Sequence, residues 1–257
     1  MNDIIEYKQQ SAEKIHNRIA ELKKEQHLMI PENYNSRAAI EHAFSEIAEI
    51  TDKSGKLAIE SCTKESIYTS VYNMVLQGLS PQKKQCYFIA YGGKLQLQRS
   101  YFGTITALKV VCPEVKKVNA QVVREGDKIE FTIVNGLKTI THSHNVVDAD
   151  KDIIGAYAVV IGQDGTALDS TYMTMDEIKK AWGKSKTKPV DENGNIKATS
   201  THGQFPSEMA KKTAINRACK TLINSADDSE LVKAYNATLS NEFVKDEVIE
   251  AEKLSID

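Results

Sequence analysis

The spacing of apolar positions changes several times along this chain, and each change marks an element. From Ile4 to Gln26 the residues Ile4, Ile5, Ile15, Ile19 and Leu22 form a narrow stripe in a charged run. That spacing predicts an amphipathic helix, interrupted by Pro31 and Asn33. A second helix is predicted from Ser36 to Ile50, with Ala39, Ile40, Ala43, Phe44, Ile47 and Ile50 on one face. The stretch TKESIYTSVYNMVLQGLSP predicts a third. Thr63 is its N-cap, Ile67, Val71, Met74 and Val75 form its buried stripe, and Gly78 ends it.

The period then falls to two. YFIAYGGKLQLQRSYFG reads as a hairpin turning at Gly92-Gly93. SYFGTITALKVV predicts a short helix ended by Pro113. VKKVNAQVVREGDKIEFTIVNG alternates as strands on either side of a Gly126-Asp127 turn. IIGAYAVVIGQDGTALDSTYMT predicts a hairpin turning at Gln163-Asp164-Gly165. Thr174 with Glu177 has the spacing of a capping box that opens a helix through Trp182. GKSKTKPVDENGNIKATSTHGQFP has the composition of a mobile loop, and a long helix, SEMAKKTAINRACKTLI, comes after it. Beyond Asn224 the chain becomes polar and acidic, with a weak amphipathic pattern near Phe243 and Val244. Helices at both ends and antiparallel strands between them give an α+β class rather than an alternating α/β one.

Composition adds bounds. With 257 residues, 41% hydrophobic and 26% charged, the chain can build a substantial core. No apolar run reaches the roughly 20 residues of a membrane helix, and the charged N-terminus predicts no secretory signal. Cys62, Cys86, Cys112 and Cys219 are widely spaced, without a CxxC pair, and are expected as free, mostly buried thiols of a reducing cytoplasm.

The net charge of −2 hides an uneven distribution. Between Lys83 and Arg124 the only acid is Glu114, against Lys83, Lys84, Lys94, Arg99, Lys109, Lys116, Lys117 and Arg124. A second basic stretch runs from Lys179 to Lys220, and acids gather from Asp227 onward. Such asymmetry predicts a polyanionic partner for the basic segments.

Two sets of residues stand out for that partner. In the first hairpin Leu95 and Leu97 alternate inward, so Lys94, Gln96 and Gln98 share the opposite face, with Arg99 and Tyr101 just beyond. Lysine and glutamine on a sheet surface can contact phosphate and sugar without reading sequence. Tyr87, Tyr91, Tyr101 and Phe102 lie close by. Phe88 and Phe102 read as core, whereas Tyr91 and Tyr101 fit either core or a base-stacking position. In the Met209 to Ile223 helix, Ala210, Ala214, Ile215, Ala218 and Leu222 form one face, whose small residues would let the helix lie close to a sheet. Lys212, Asn216, Arg217 and Lys220 lie on the other, with Thr213 between. Lys184, Lys186 and Lys188 on the preceding loop could track a phosphate backbone.

Enzyme signatures are weak. Gly183-Lys184-Ser185 matches the end of a P-loop, but Ile178 stands at the position of its first glycine. His142 and His144 share a strand face without a metal-ligand pattern around them. Asp148, Asp150 and Asp152 read as an exposed acidic turn. A metal nuclease built on Asp148, Asp150 and His142 or His144 is the enzymatic rival. A scaffold that touches DNA weakly is a further one.

Four segments then occur in order: SIYTSVYNMVLQGLSPQKKQCYFIAYGGKLQLQRSYFG, IIGAYAVV, TMDEIKKAW and EMAKKTAINRACKTL. Together they resemble the RecT family of phage and prophage single-strand annealing recombinases, related to Redβ, over about Ser36 to Asp228. The glycine-leucine step before Pro81, the Gly92-Gly93 turn and Lys211-Lys212-Thr213 are the sharpest points of likeness. Ala90, where many relatives have proline, departs from the pattern. The resemblance implies an ATP-independent, non-enzymatic protein without cofactor or metal that binds single-stranded DNA and pairs it with a complement. It also implies a ring or helical filament holding the duplex in a basic groove, and a β-β-β-α type core flanked by helices. A 5′-to-3′ phage exonuclease and the host single-stranded-DNA-binding protein would be its partners in the bacterial cytoplasm. On this reading residues 1–34 form an oligomerisation arm, 35–228 the annealing core and 229–257 an acidic, flexible tail. The DNA-binding set is Lys94, Gln96, Gln98, Arg99, Tyr101, Lys184, Lys186, Lys188, Lys211, Lys212, Arg217 and Lys220. The alternative is a protective single-strand binder that does not anneal.

Overall fold

The computed structural model describes residues 2–25, 28, 30–31, 33–134 and 136–242. In chain order the elements are α1 (Asn2–Lys24), α2 (Ser36–Ile47), α3 (Ala58–Ser61), α4 (Lys64–Leu76), β1 (Cys86–Tyr91), β2 (Lys94–Arg99), α5 (Tyr101–Val111), β3 (Val115–Arg124), β4 (Lys128–Val134), β5 (Leu137–Ser143), β6 (Ile153–Gly162), β7 (Ala167–Thr174), α6 (Met175–Gly183), α7 (Thr201–Gln204), α8 (Pro206–Asn224) and α9 (Ser229–Glu242). All strand pairs are antiparallel, and the class is α+β. The chain divides into two compact units, Met1–Val111 with Ser225–Glu242, and Cys112–Asn224.

The first unit is helical around one hairpin. Ile15, Ile19 and Leu22 of α1, Ala39, Ile40, Ala43, Phe44 and Ile47 of α2, and Ile67, Val71, Met74 and Val75 of α4 are buried, as their periodicity predicts. Three residues of the α1 stripe, Ile15, Ile19 and Leu22, are thus used inside the core of its own unit; Ile4 and Ile5 lie outside the residues whose side chains are described. Thr63 caps α4 by accepting the Ser66 amide at 3.3 Å. Gly78 ends that helix with φ +65°.

The hairpin turns through Gly92 and Gly93 at φ +57° and +71°. Two successive left-handed residues are what a two-residue turn matched to strand twist requires, and glycine adopts them without strain. The turn sets the register, with Tyr91 opposite Lys94, Ile89 opposite Gln96 and Tyr87 opposite Gln98. Phe88, Ala90, Leu95 and Leu97 then face the core. The far edge of β2 is closed by side chains. The Leu95 amide donates to Ser66 Oγ and its carbonyl accepts from Ser70 Oγ, both at 2.9 Å. The Leu97 carbonyl accepts from Asn241 Nδ2 at 3.1 Å. A strand edge finished in this way offers no template for another strand.

Asn241 belongs to α9, a helix inside the segment expected as a flexible acidic tail. Leu231, Ala234 and Tyr235 of α9 are buried in the first unit. Burying Leu231 alone contributes roughly 1.5–3 kcal/mol. A helix of 14 residues would be marginal in isolation, so tertiary packing rather than propensity makes it. Phe243, Val244 and the rest of that segment, to residue 257, lie outside the described residues.

The second unit is built on a three-stranded sheet in the order β3–β6–β7. Ala210, Ala214 and Ala218 of α8 pack on this sheet, whose inner face presents Ala156, Ala158 and Val160, all fully buried. Small residues on both sides bring helix and sheet close, as the sequence predicts. The expected β6–β7 hairpin and the capping box are both present, the latter with both reciprocal hydrogen bonds. Trp182 Nε1 donates to Thr213 Oγ1 at 2.8 Å and ties α6 to α8.

The strands flanking the Gly126-Asp127 turn do not pair with each other. β3 pairs with β6, and β4 pairs with β5 to form a separate ribbon. The groups that would begin a β3–β4 ladder are committed elsewhere, because the Arg124 amide donates to Asp127 Oδ2 (2.7 Å) and the Glu125 amide to the Asp152 carbonyl (3.0 Å). The segment expected as a mobile loop after α6 carries a bridge between Val190 and Ile196 and the one-turn helix α7. No described cysteine is in a disulfide; Cys62, Cys86 and Cys219 are buried and Cys112 is half-buried.

Candidate nucleic-acid interface

Strand alternation divides the hairpin into a buried and an exposed face. On the exposed face Tyr87, Ile89 and Tyr91 are 46%, 41% and 56% accessible, in a row along β1. Their cross-strand partners are Gln98, Gln96 and Lys94. Lys94 is exposed and Gln96 half-buried. Lys53, from the loop between α2 and α3, holds its ammonium 5.4 Å from the Tyr91 ring centre. A face of aromatic rings flanked by amides and lysines, free of carboxylates within Cys86–Arg99, can stack on nucleobases and hydrogen-bond phosphates. Near this hairpin, Tyr101 and Phe102 open α5 with ring centres 4.1 Å apart.

Two of the expected contact residues are placed differently. Arg99 is 2% accessible. Strand parity turns it to the inner side with Leu95 and Leu97, where its guanidinium lies 3.8 Å from the Tyr235 ring centre. Nη1 donates to Gln77 Oε1 at 2.5 Å and to the Tyr235 carbonyl at 3.4 Å, and Nε to Thr104 Oγ1 at 3.2 Å. Gln77 in turn donates to the Ala234 carbonyl and Thr238 Oγ1. Arg99 thus clamps α9 to β2 and α4, and no phosphate can reach it while that network stands. Gln98 is on the outer face, but its Nε2 donates to the Asn241 carbonyl at 3.4 Å and the end of α9 leaves it buried. Phe102, read from sequence as core, is half exposed. Phe88 is buried as expected.

The remaining cations belong to the second unit. Arg217 and Lys220 are exposed on α8, and Lys211 and Lys212 half-exposed. Lys211 is paired with Glu208 at 2.5 Å, one turn away, an exposed contact that a phosphate can replace. The Glu177 carboxyl is held below its usual range first by the Thr174 amide, and also by the charges of Arg217 and Lys180. Burial, together with the charge of Lys212, lowers the basicity of His202. Lys184, Lys186 and Lys188 are exposed on the segment after α6. Lys188 has φ +43°, one of two described non-glycine residues in the left-handed region; the other is Lys84, at φ +55° beside the start of β1.

Both histidines contact one carboxylate. His144 Nδ1 lies 2.6 Å from Asp127 Oδ1 and His142 Nε2 3.0 Å from Asp127 Oδ2, while His142 Nδ1 contacts the Tyr157 hydroxyl at 3.3 Å. Burial pushes the Asp127 carboxyl up, but the Arg124 amide and the two imidazoles outweigh it and bring it down to about 2. The cluster pins the root of the β4–β5 ribbon to β6. Asp148, expected as part of an exposed acidic turn, is buried and paired with Lys151 at 2.8 Å. Among the described residues no group of three or more His, Cys, Asp and Glu is arranged to hold a metal ion. No helix among them is long and apolar enough to cross a membrane.

Sequence reasoning missed Lys53 and Ile89. Ile89 shares the parity of Tyr87 and Tyr91, so alternation alone would have found it. Lys53 is 38 residues from Tyr91 in sequence, and only the fold brings them together.

Neither the curated proteins nor the solved structures contain a match to the chain. The family model described as the RecT family matches residues 41–253, most of the chain, and by that match and the ordered motifs around its exposed hairpin and cationic helix this protein belongs to the RecT family, with a single-strand annealing function in DNA recombination.

Proposed function

We propose that the protein binds single-stranded DNA without nucleotide or metal and anneals it to a complementary strand, as an oligomeric ring or filament that holds DNA along its basic surfaces. The observation that supports this most directly is the outward face of the hairpin in a RecT-family chain: Tyr87, Ile89 and Tyr91 stand exposed beside Gln96 and Lys94. Stacking occupies the faces of bases and leaves their pairing edges open to a second strand. Lys184, Lys186, Lys188, Lys211, Lys212, Arg217 and Lys220 neutralise phosphates of one or both strands and reduce the repulsion that slows pairing. Arg99 supports the hairpin from within, Gln98 ties its outer face to the end of α9, and Tyr101 extends its aromatic surface. Oligomerisation multiplies a modest contact per subunit. A 5′-to-3′ exonuclease that exposes single strands and a host single-stranded-DNA-binding protein are the proposed partners, in a bacterial cytoplasm.

The test is annealing of two complementary labelled oligonucleotides added in succession, in EDTA and without nucleotide. Rapid duplex formation retained in a large protein complex is the expected result. Tight binding of the first strand with no acceleration of pairing would leave a protective binder instead. Cleavage that chelation abolishes would point to the nuclease.

A further inference from the structure

The β1–β2 hairpin and the β4–β5 ribbon differ in how their outer edges end. In each, the strands close across two residues, with Tyr91 opposite Lys94 and Val134 opposite Leu137. Such a closing pair exchanges hydrogen bonds, and the exchange then falls on every second residue pair. The residues between point their N–H and C=O groups away from the facing strand. In β2 these are Leu95 and Leu97, and Ser66, Ser70 and Asn241 close them. In β5 they include Lys138, whose carbonyl accepts from Ser170 Oγ of β7. In β4 they are Ile129, Phe131 and Ile133, and among the described residues no hydrogen bond reaches their outward groups. Every residue of β4 except Ile129 is exposed, Ile133 at 67%. The strand has neither proline nor bulge, and its only charges are one lysine and one glutamate. An apolar edge left open in this way is a template for another strand.

We infer that β4 is a contact between two copies of this chain, paired antiparallel along their open edges about a two-fold axis at Phe131. Self-complementarity selects a second copy as the occupant. With Phe131 opposite its own copy, Ile129 faces the second copy's Ile133, and the outward groups of all three residues fall on hydrogen-bonded pairs. Parity is kept across the edge, so apolar side chains meet apolar side chains on one face. Phe131 already lies opposite Ile140, and the pairing extends that row through Ile140, Phe131 and their two copies. Lys128 and Glu130 balance, so no net charge on the strand opposes the approach. A seven-residue strand offers a strip about 24 Å by 10 Å. Over both copies the pairing covers on the order of 500 Å², well below the roughly 1,200 Å² at which stable complexes begin. The contact is therefore weak alone and serves as one of several in an assembly. Its use in an annealing oligomer rests on the proposed function; the pairing itself does not.

Cysteines introduced singly on β4 of the full chain test the register under mild oxidation and without DNA, with the wild type as the control for the native thiols. Phe131→Cys is expected to cross-link into dimers, because its two copies stand about 5.5 Å apart at Cα, within disulfide reach. Ile133→Cys is expected not to, since it lies about 14 Å along the strand from its copy. It should cross-link when mixed with an Ile129→Cys chain. A second set reads affinity by sedimentation. Phe131→Lys and Phe131→Glu should each weaken self-association about tenfold by setting like charges opposite each other, and an equimolar mixture should regain it. Recovery in the mixture requires both variants to be folded, so loss of folding cannot imitate it. Cross-linking that ignores the register, or a mixture that stays apart, overturns the inference. So does a chain that neither cross-links at Phe131→Cys nor associates at any concentration. If that happens while annealing persists, the proposed function stands. If the dimers form as expected and no form of the protein speeds strand pairing, the proposed function fails alone.

Discussion

Arg99 separates the two readings of the hairpin. Met1–Val111 and Ser225–Glu242 meet around its guanidinium, which bonds Gln77, Thr104 and the Tyr235 carbonyl and stacks on the Tyr235 ring. Arg99→Leu keeps an apolar stem but removes the charge and strands the buried Gln77 Oε1. An orphaned buried acceptor costs about 1–3 kcal/mol, and a desolvated cation–π contact contributes about 2 kcal/mol. These terms overlap, and leucine recovers some packing. A net loss of about 3 kcal/mol is expected, which for a unit of this size lowers Tm by roughly 10 °C. Calorimetry of the full chain reads the shift directly. The companion measurement is the salt dependence of single-strand binding below the transition. A residue that contacts one phosphate of a single strand contributes about 0.7 to the slope of log affinity against log salt. Arg99→Leu should leave that slope unchanged. A variant with wild-type Tm and a slope reduced by about 0.7 would refute the buried clamp and restore the surface role that charge patterning suggested.

The remaining predictions address the two surfaces and the histidine cluster. Tyr87→Leu and Tyr91→Leu should each weaken single-strand binding by about 1–3 kcal/mol and leave binding of an abasic strand of equal length unchanged; equal losses on both strands would assign the rings to packing. Arg217→Ala and Lys220→Ala should lower affinity for all sequences alike and flatten the salt slope by about 0.7 each, which titrations of two unrelated sequences at several salt concentrations would read. The Asp127 carboxyl is depressed to about 2 in the folded chain and titrates near 3.9 when unfolded. Its stabilisation is thus present above about pH 4 and lost as pH falls toward 2. Asp127→Asn should flatten that limb of the stability curve, as monitored by acid unfolding, and an unchanged limb would remove the cluster from the acid response.

Helix starts, strand parity and turn positions were legible because they depend on neighbours in the chain. Thr63 caps its helix as a threonine at the head of an apolar periodic run should, and Thr174 caps its own where the spacing of Glu177 says it should. Gly92 and Gly93 turn the hairpin because no other residue takes two left-handed conformations in succession so readily. The alanines of α8 announced a close sheet. Partner choice and burial were not legible, because they depend on groups far apart in sequence. Nothing in the order of residues says that β3 prefers β6 to β4; the ladder is decided by where the Arg124 and Glu125 amides find acceptors. The cation at Arg99 looks like its neighbour Lys94 in one dimension, yet strand parity turns it inward and α9, more than 130 residues away, covers it. The same return of the chain made a helix of a segment that composition marked as tail. Local sequence determined which faces exist, and tertiary packing decided which of them remain open to solvent, because desolvation depends on what else the fold brings to the surface.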